Sequence, residues 1–110
     1  MSAEFRFTGD IPYRGKKYHF AFRCVRTLFN GYRAYIEEAP SYGRRSESLS
    51  ATHRLRDGNR YYICWSEKIK SCEQMEAVIR LWTRATVMYI ADGGPSLDAH
   101  AAKLIAANRV

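Results

Sequence analysis

The chain has 110 residues, the size of a single domain. With 46% hydrophobic and 14% aromatic residues it can bury a core without staples, which excludes disordered and fibrous classes. Eighteen Lys and Arg against eleven Asp and Glu give a formal net charge of +7, and thirteen of the cations are arginine.

Residues Met1–Arg6 show no basic stretch followed by an apolar one. The longest apolar runs, Tyr61–Trp65 and Val87–Ala91, fall far short of the ~20 residues that span a bilayer. Three cysteines, Cys24, Cys64 and Cys72, make no disulfide framework. The expectation is a cytoplasmic protein without membrane contact.

Residues 1–70 alternate apolar and polar with the period of a strand. A first strand is expected near Glu4–Ile11, closed by the Tyr13-Arg14-Gly15 turn. Tyr18, Phe20 and Phe22 then mark a second strand, and Tyr32, Ala34 and Ile36 a third, with the hairpin dipeptide Asn30-Gly31 between them. Pro40–Ser50, rich in Ser, Gly and Arg, reads as a mobile basic loop. Asp57-Gly58-Asn59 separates strands at Thr52–Arg56 and Arg60–Trp65.

Ser71 opens a helix through a capping box with Gln74. Met75, Val78, Ile79, Trp82, Ala85, Thr86 and Tyr89 follow its apolar stripe to about Ala91, and Gly93 with Gly94-Pro95 ends it. A second helix is expected from Ser96 to about Ala107, with Leu97, Ala101, Leu104 and Ile105 on one face. The fold class is therefore α+β. An antiparallel β-sheet of about five strands packs on one long amphipathic helix, with a shorter C-terminal helix, in a single domain over residues 1–110. All of the net charge falls in the β-sheet part, residues 1–70, which holds fourteen cations and seven anions. The helical part, residues 71–110, is neutral, with four of each.

Hairpin registers turn this charge into a surface. A two-residue Asn30-Gly31 turn pairs Phe29 with Tyr32, Thr27 with Ala34 and Val25 with Ile36, and turns that apolar set toward the helix. Phe20 and Phe22 then need a β-bulge near Arg23–Cys24 to return to the core, or else the sheet is covered on both faces. A three-residue second turn places Leu55, Tyr61, Ile63 and Trp65 inward; a two-residue turn scrambles that division. The outward face then carries Arg26, Arg33, Arg54, Arg56 and Arg60 among Tyr35 and Tyr62, with Arg44 and Arg45 on the adjacent loop. Guanidinium groups bind phosphate, and tyrosine supplies a stacking face or a phosphate hydrogen bond, so the nine residues form a candidate nucleic-acid or partner-binding site.

Catalytic and metal patterns are otherwise missing from the sequence. There is no zinc-ligand spacing and no Gly-rich phosphate loop. Glu37 and Glu38, adjacent on a strand, are expected to point to opposite faces. His19, His53 and His100 read as structural or surface residues. Cys72, in the first turn of a helix, is placed where a thiol becomes reactive, but no base lies near it in sequence. Cys24 and Cys64 read as small core residues. The expectation is a non-catalytic protein without cofactor or metal.

The order strand, Asn-Gly turn, strand, strand, Trp65 and a Ser71-initiated helix resembles the three-stranded DNA-binding domains of phage and transposon integrases and plant ethylene-response factors. The resemblance covers about residues 16–91. It implies a sheet laid in the DNA major groove, with contacts from Arg26, Arg33, Tyr35, Arg54, Arg56, Arg60 and Tyr62. The extra N-terminal strand, the Pro40–Ser50 loop and the last helix depart from that family.

Tyr32-Arg33-Ala34-Tyr35-Ile36-Glu37, Pro40-Ser41-Tyr42-Gly43, Thr52-His53-Arg54 and Tyr61-Tyr62-Ile63-Cys64-Trp65 resemble small uncharacterised proteins of Gram-positive mobile genetic elements. That setting, like phage, holds DNA-binding accessories and anti-CRISPR inhibitors. The sequence thus points to a protein binding DNA or RNA through an Arg/Tyr sheet face. The alternative is a protein-binding inhibitor of a nuclease effector. The last helix, with Leu97, Leu104 and Ile105, leaves two alternatives: packing on its own domain or forming a homodimer.

Overall fold

The computed structural model describes residues 4–28 and 31–107. A two-residue turn with positive φ at both Arg14 (50°) and Gly15 (79°) joins β1 (Glu4–Tyr13) to β2 (Lys16–Arg26). Their register runs unbroken from Tyr13↔Lys16 to Glu4↔Val25. β3 (Tyr32–Glu38), β4 (Arg54–Asp57) and β5 (Arg60–Ile63) complete an antiparallel sheet in the order β1-β2-β3-β5-β4. A single helical turn, α1 (Leu49–Thr52), precedes β4. The long α2 (Cys72–Asp92) and shorter α3 (Leu97–Ala106) follow. The α+β class expected from the sequence is the observed one.

Alternation places Tyr18, Phe20, Phe22 and Cys24 of β2 on one face, with Phe5, Phe7 and Ile11 of β1 and Ala34 of β3 beside them. α2 covers that face. Trp82 meets Phe20 and Phe22 edge-on at 6.0 and 5.9 Å, and its indole N–H donates to the Thr52 carbonyl at 3.1 Å. α3 packs on α2 through Leu97 and Leu104, which buries Leu81, outside the apolar stripe; Val87, also outside it, is buried too.

The caps of α2 follow the local chemistry. Ser71 Oγ accepts from the Gln74 N–H at 3.1 Å, and the Gln74 side chain accepts from the Lys70 N–H, one residue before the cap. The chain leaves the helix at Gly93 with φ 84°.

The β2–β3 register differs from the expected one by three residues. Arg26 pairs with Tyr32, Val25 with Arg33, Cys24 with Ala34, and Phe22 with Ile36. The pairings Thr27–Ala34 and Val25–Ile36 are therefore replaced; Phe29 and Asn30 lie outside the described residues. The connection closes instead at Thr27, whose N–H donates to the Gly31 carbonyl at 2.8 Å. The cause is non-local. Gly31 forms a parallel bridge with Ile69, and the Tyr32 N–H donates to the Ile69 carbonyl at 2.8 Å. A Cβ at Gly31 would overlap that carbonyl oxygen.

An odd shift exchanges the two faces of a strand. Cys24 replaces Val25 on the helix side, and Phe20 and Phe22 reach the core with no bulge at Arg23–Cys24. The irregularity sits at Ala21/Phe22, where β3 contributes the extra residue Glu37 between Ile36 and Glu38.

The second hairpin has a two-residue turn at Gly58-Asn59, pairing Arg54 with Ile63, Leu55 with Tyr62 and Asp57 with Arg60. Leu55 therefore shares a face with Tyr62, away from the helix, and remains 40% exposed. Trp65, expected inside, is 38% exposed.

The Pro40–Ser50 segment is packed down. Tyr42 is buried, the Tyr89 hydroxyl donates to the Ser46 carbonyl at 2.9 Å, and Arg54 donates to the Glu47 carbonyl at 2.9 Å.

Candidate nucleic-acid interface

Four of the nine expected residues come together on the sheet face opposite α2. Tyr35 of β3 pairs directly with Tyr62 of β5, their rings 5.6 Å apart and edge-to-face. The Arg33 guanidinium lies 4.3 Å from the Tyr62 ring centre, and that of Arg60 lies 4.0 Å from the Tyr35 ring centre. The cluster is closed by an acid that the sequence reading did not select. The Tyr35 hydroxyl donates to Asp57 Oδ2 at 2.8 Å, and Arg60 and Arg33 lie 3.5 and 3.8 Å from the same oxygen. The hydrogen bond to the Tyr35 hydroxyl is the main cause that raises the Arg33 pKa above its ordinary value.

The remaining face is likewise paired. Arg6 donates twice to Glu37 Oε1, at 3.0 and 2.6 Å. Arg23 lies 3.7 Å from both Glu4 and Glu37. His19 bridges Asp10 at 2.7 Å and Glu38 at 2.8 Å. The His19 pKa is raised first by the hydrogen bond to Asp10 and then by that to Glu38. Glu37 and Glu38 thus serve one face, contrary to strict alternation, because the bulge inserts Glu37.

The register places five cations here (Arg6, Lys17, Arg23, Arg33 and Arg60) and five acids (Glu4, Asp10, Glu37, Glu38 and Asp57). With neutral histidine the face is formally neutral. The expected accumulation of seven arginines on one side is not what forms. The net +7 of the chain lies entirely off this face.

The other five residues sit elsewhere. Arg26 pairs with Tyr32 and shares the helix-side parity of Cys24, at the exposed end of β2. Arg54 and Arg56 share the helix-side face of their hairpin with Ile63 and Tyr61 because the turn has two residues. Arg54 is inserted between aromatic rings, 5.0 Å from the centre of Tyr42 and 4.4 Å from that of Tyr61, and also donates to Thr52 Oγ1 at 2.8 Å. Arg56 is exposed, 5.9 Å from the Tyr61 ring centre. Arg45 donates to the carbonyls of Ile90 and Ala91 at 3.1 and 3.2 Å, satisfying the end of α2. Arg44, beside it in the turn begun by Tyr42, is exposed.

Among the described residues no group of three His, Cys, Asp or Glu could hold a metal ion, and no helix is long and apolar enough to cross a membrane. Cys72 is exposed in the first turn of α2, with its Sγ 3.6 Å from the Tyr32 hydroxyl. That contact is the main cause that raises the Tyr32 pKa, and a phenol so held is no base for a thiol near neutral pH. Cys24 is buried, and desolvation pushes its thiol up to about 12. Cys64 is half-buried.

The missed residues had one readable signal. A two-residue turn at Arg14-Gly15 fixes the β1–β2 register, which sets Arg6 beside Arg23 and Asp10 beside His19. The bulge at Glu37 had none. No family model, no curated protein and no solved structure matches the chain.

Proposed function

We propose that the chain is a small non-catalytic basic protein that binds DNA or RNA, in the setting the motif resemblance implies, a phage or mobile genetic element. Contact is made by the basic rim of the sheet and the adjoining loop, with Arg26, Arg44 and Arg56 reaching phosphate. The observation that carries this reading is the charge distribution. A formally neutral outer sheet face leaves the whole +7 to the rest of the surface, where it attracts a polyanion. Arg45 and Arg54 act inside the fold, as a helix cap and a stacked tie.

Gel-shift titration with random DNA and RNA at low salt tests this. The Arg26→Ala/Arg44→Ala/Arg56→Ala variant should fold and lose affinity by roughly tenfold or more. The Arg33→Ala/Arg60→Ala variant should bind as the parent does. Loss confined to the second variant would return the contact to the outer face and overturn the assignment.

A second reading, a protein-binding inhibitor of a nucleic-acid-processing enzyme, is favoured by one observation. Leu49, Leu55, Trp65 and Ile105 are all exposed, and they line adjoining grooves around β4 and α3. Absence of any shift at low salt selects this reading.

A further inference from the structure

β1 is an edge strand of ten residues among the described residues. The pair Tyr13↔Lys16 closes a two-residue hairpin, and such a closing pair exchanges both of its backbone hydrogen bonds. Odd-numbered residues of β1 therefore bond to β2. The backbone groups of Glu4, Arg6, Thr8 and Asp10 point away from the sheet. Pro12 fits the same phase, since it has no N–H and stands where none is needed by β2. A row of outward donors and acceptors is a template for another strand.

Gly9 stands in the middle of this strand, opposite Phe20 and on the α2 face. It has no positive φ, the β1–β2 register shows no bulge there, and a Cβ would meet nothing within 4 Å. Neither backbone geometry nor crowding within the chain calls for glycine here, and its open Cα leaves room for close approach of another chain. An open cleft of about 390 Å³ lies at this point, bordered by Phe7, Ile11 and Phe22 and, on α2, by Glu76, Ile79 and Arg80.

We propose that two copies of the chain associate by antiparallel pairing of β1 with β1, about a two-fold axis at Thr8. Charge and shape select this centre. It sets Arg6 opposite Asp10 of the second copy, twice, on the outer face. On the α2 face it sets Phe7 opposite Gly9, so that each aromatic ring covers the other copy's glycine and enters the cleft. A centre at Phe7 would oppose Glu4 to Asp10, and a centre at Arg6 would oppose two arginines. Glu76 and Arg80, one turn apart on α2, border the same cleft. The product is one continuous ten-stranded sheet with both long helices on the same side.

Sedimentation equilibrium of the full chain under reducing conditions, from low micromolar to near-millimolar concentration, tests the pairing. The parent should reach twice the chain mass. Arg6→Asp and Asp10→Arg each oppose like charges at both crossings, and each should weaken self-association by roughly tenfold. An equimolar mixture of the two variants restores both crossings and should dimerise as the parent does. Thr8→Pro removes an outward N–H without touching β2, and should give a monomer with an unchanged circular dichroism spectrum. A parent that stays monomeric throughout the range overturns the proposal. So does a dimer that neither charge variant weakens, and so does a loss in the charge variants that the mixture does not rescue, whether or not the proline variant folds.

Discussion

At the scale of single residues, the outer face is a set of charges held by their neighbours. His19 stands between Asp10 and Glu38, and both hydrogen bonds favour its protonated form. Its pKa is therefore higher in the folded than in the unfolded chain. The stability this confers is present in full below the ordinary value of 6.5 and is lost as the pH rises through the raised value. The melting temperature of His19→Gln should fall below that of the parent by more in mildly acidic buffer than in mildly alkaline buffer. An equal difference in both buffers would remove the linkage. Exposed pairs such as Arg6–Glu37 contribute only about 0–1 kcal/mol each, so their importance lies in cancelling charge.

At the scale of elements, connections decide what strands cannot. Gly31 (φ 73°) is held against the Ile69 carbonyl, whereas Gly43 (φ 61°) has open space around its Cα. Gly31→Ala should cost about 2 kcal/mol or more in urea denaturation, and Gly43→Ala about 1 kcal/mol, because only the first adds a backbone collision to the left-handed strain. Equal costs would mean that Ile69 does not fix the β2–β3 connection. α2 was read almost residue by residue, since Ser71, Gln74, the apolar stripe and Gly93 act within a few residues of one another. The alternation of Tyr32, Ala34 and Ile36 with Arg33 and Tyr35 likewise assigns the two faces of β3 correctly. Yet the β2–β3 register depends on Ile69, nearly forty residues away, and an odd shift moves every side chain to the other face. Arg26 changes face through the β2–β3 connection, and Arg54 and Arg56 through the two-residue turn at Gly58-Asn59, while Arg33, Tyr35, Arg60 and Tyr62 keep their expected face. The bulge at Glu37 and the anchoring of Pro40–Ser50 by Tyr42, Ser46 and Glu47 arise from tertiary packing and leave no local pattern.

At the scale of the whole molecule, charge separation predicts how nucleic-acid binding would respond to salt. Each phosphate neutralised on duplex DNA adds about −0.9 to the log–log salt slope. Removing Arg44 and Arg56 together should make the slope shallower by roughly 1–2, while removing Arg33 and Arg60 should leave it unchanged, because Asp57 and the tyrosine rings already occupy them. A slope that responds equally to both pairs would mean that the outer face meets the polyanion as well.

A formally neutral sheet face on a body of net charge +7 also makes the molecule an electric dipole. The excess positive charge lies on the turns, loops and strand ends of residues 1–70, since residues 71–110 carry four charges of each sign. A polyanion exerts a torque on such a body before contact, turning it as it approaches. In the proposed binding, encounters then arrive with the basic turns and rim leading, and the paired arginines of the outer sheet face trail behind.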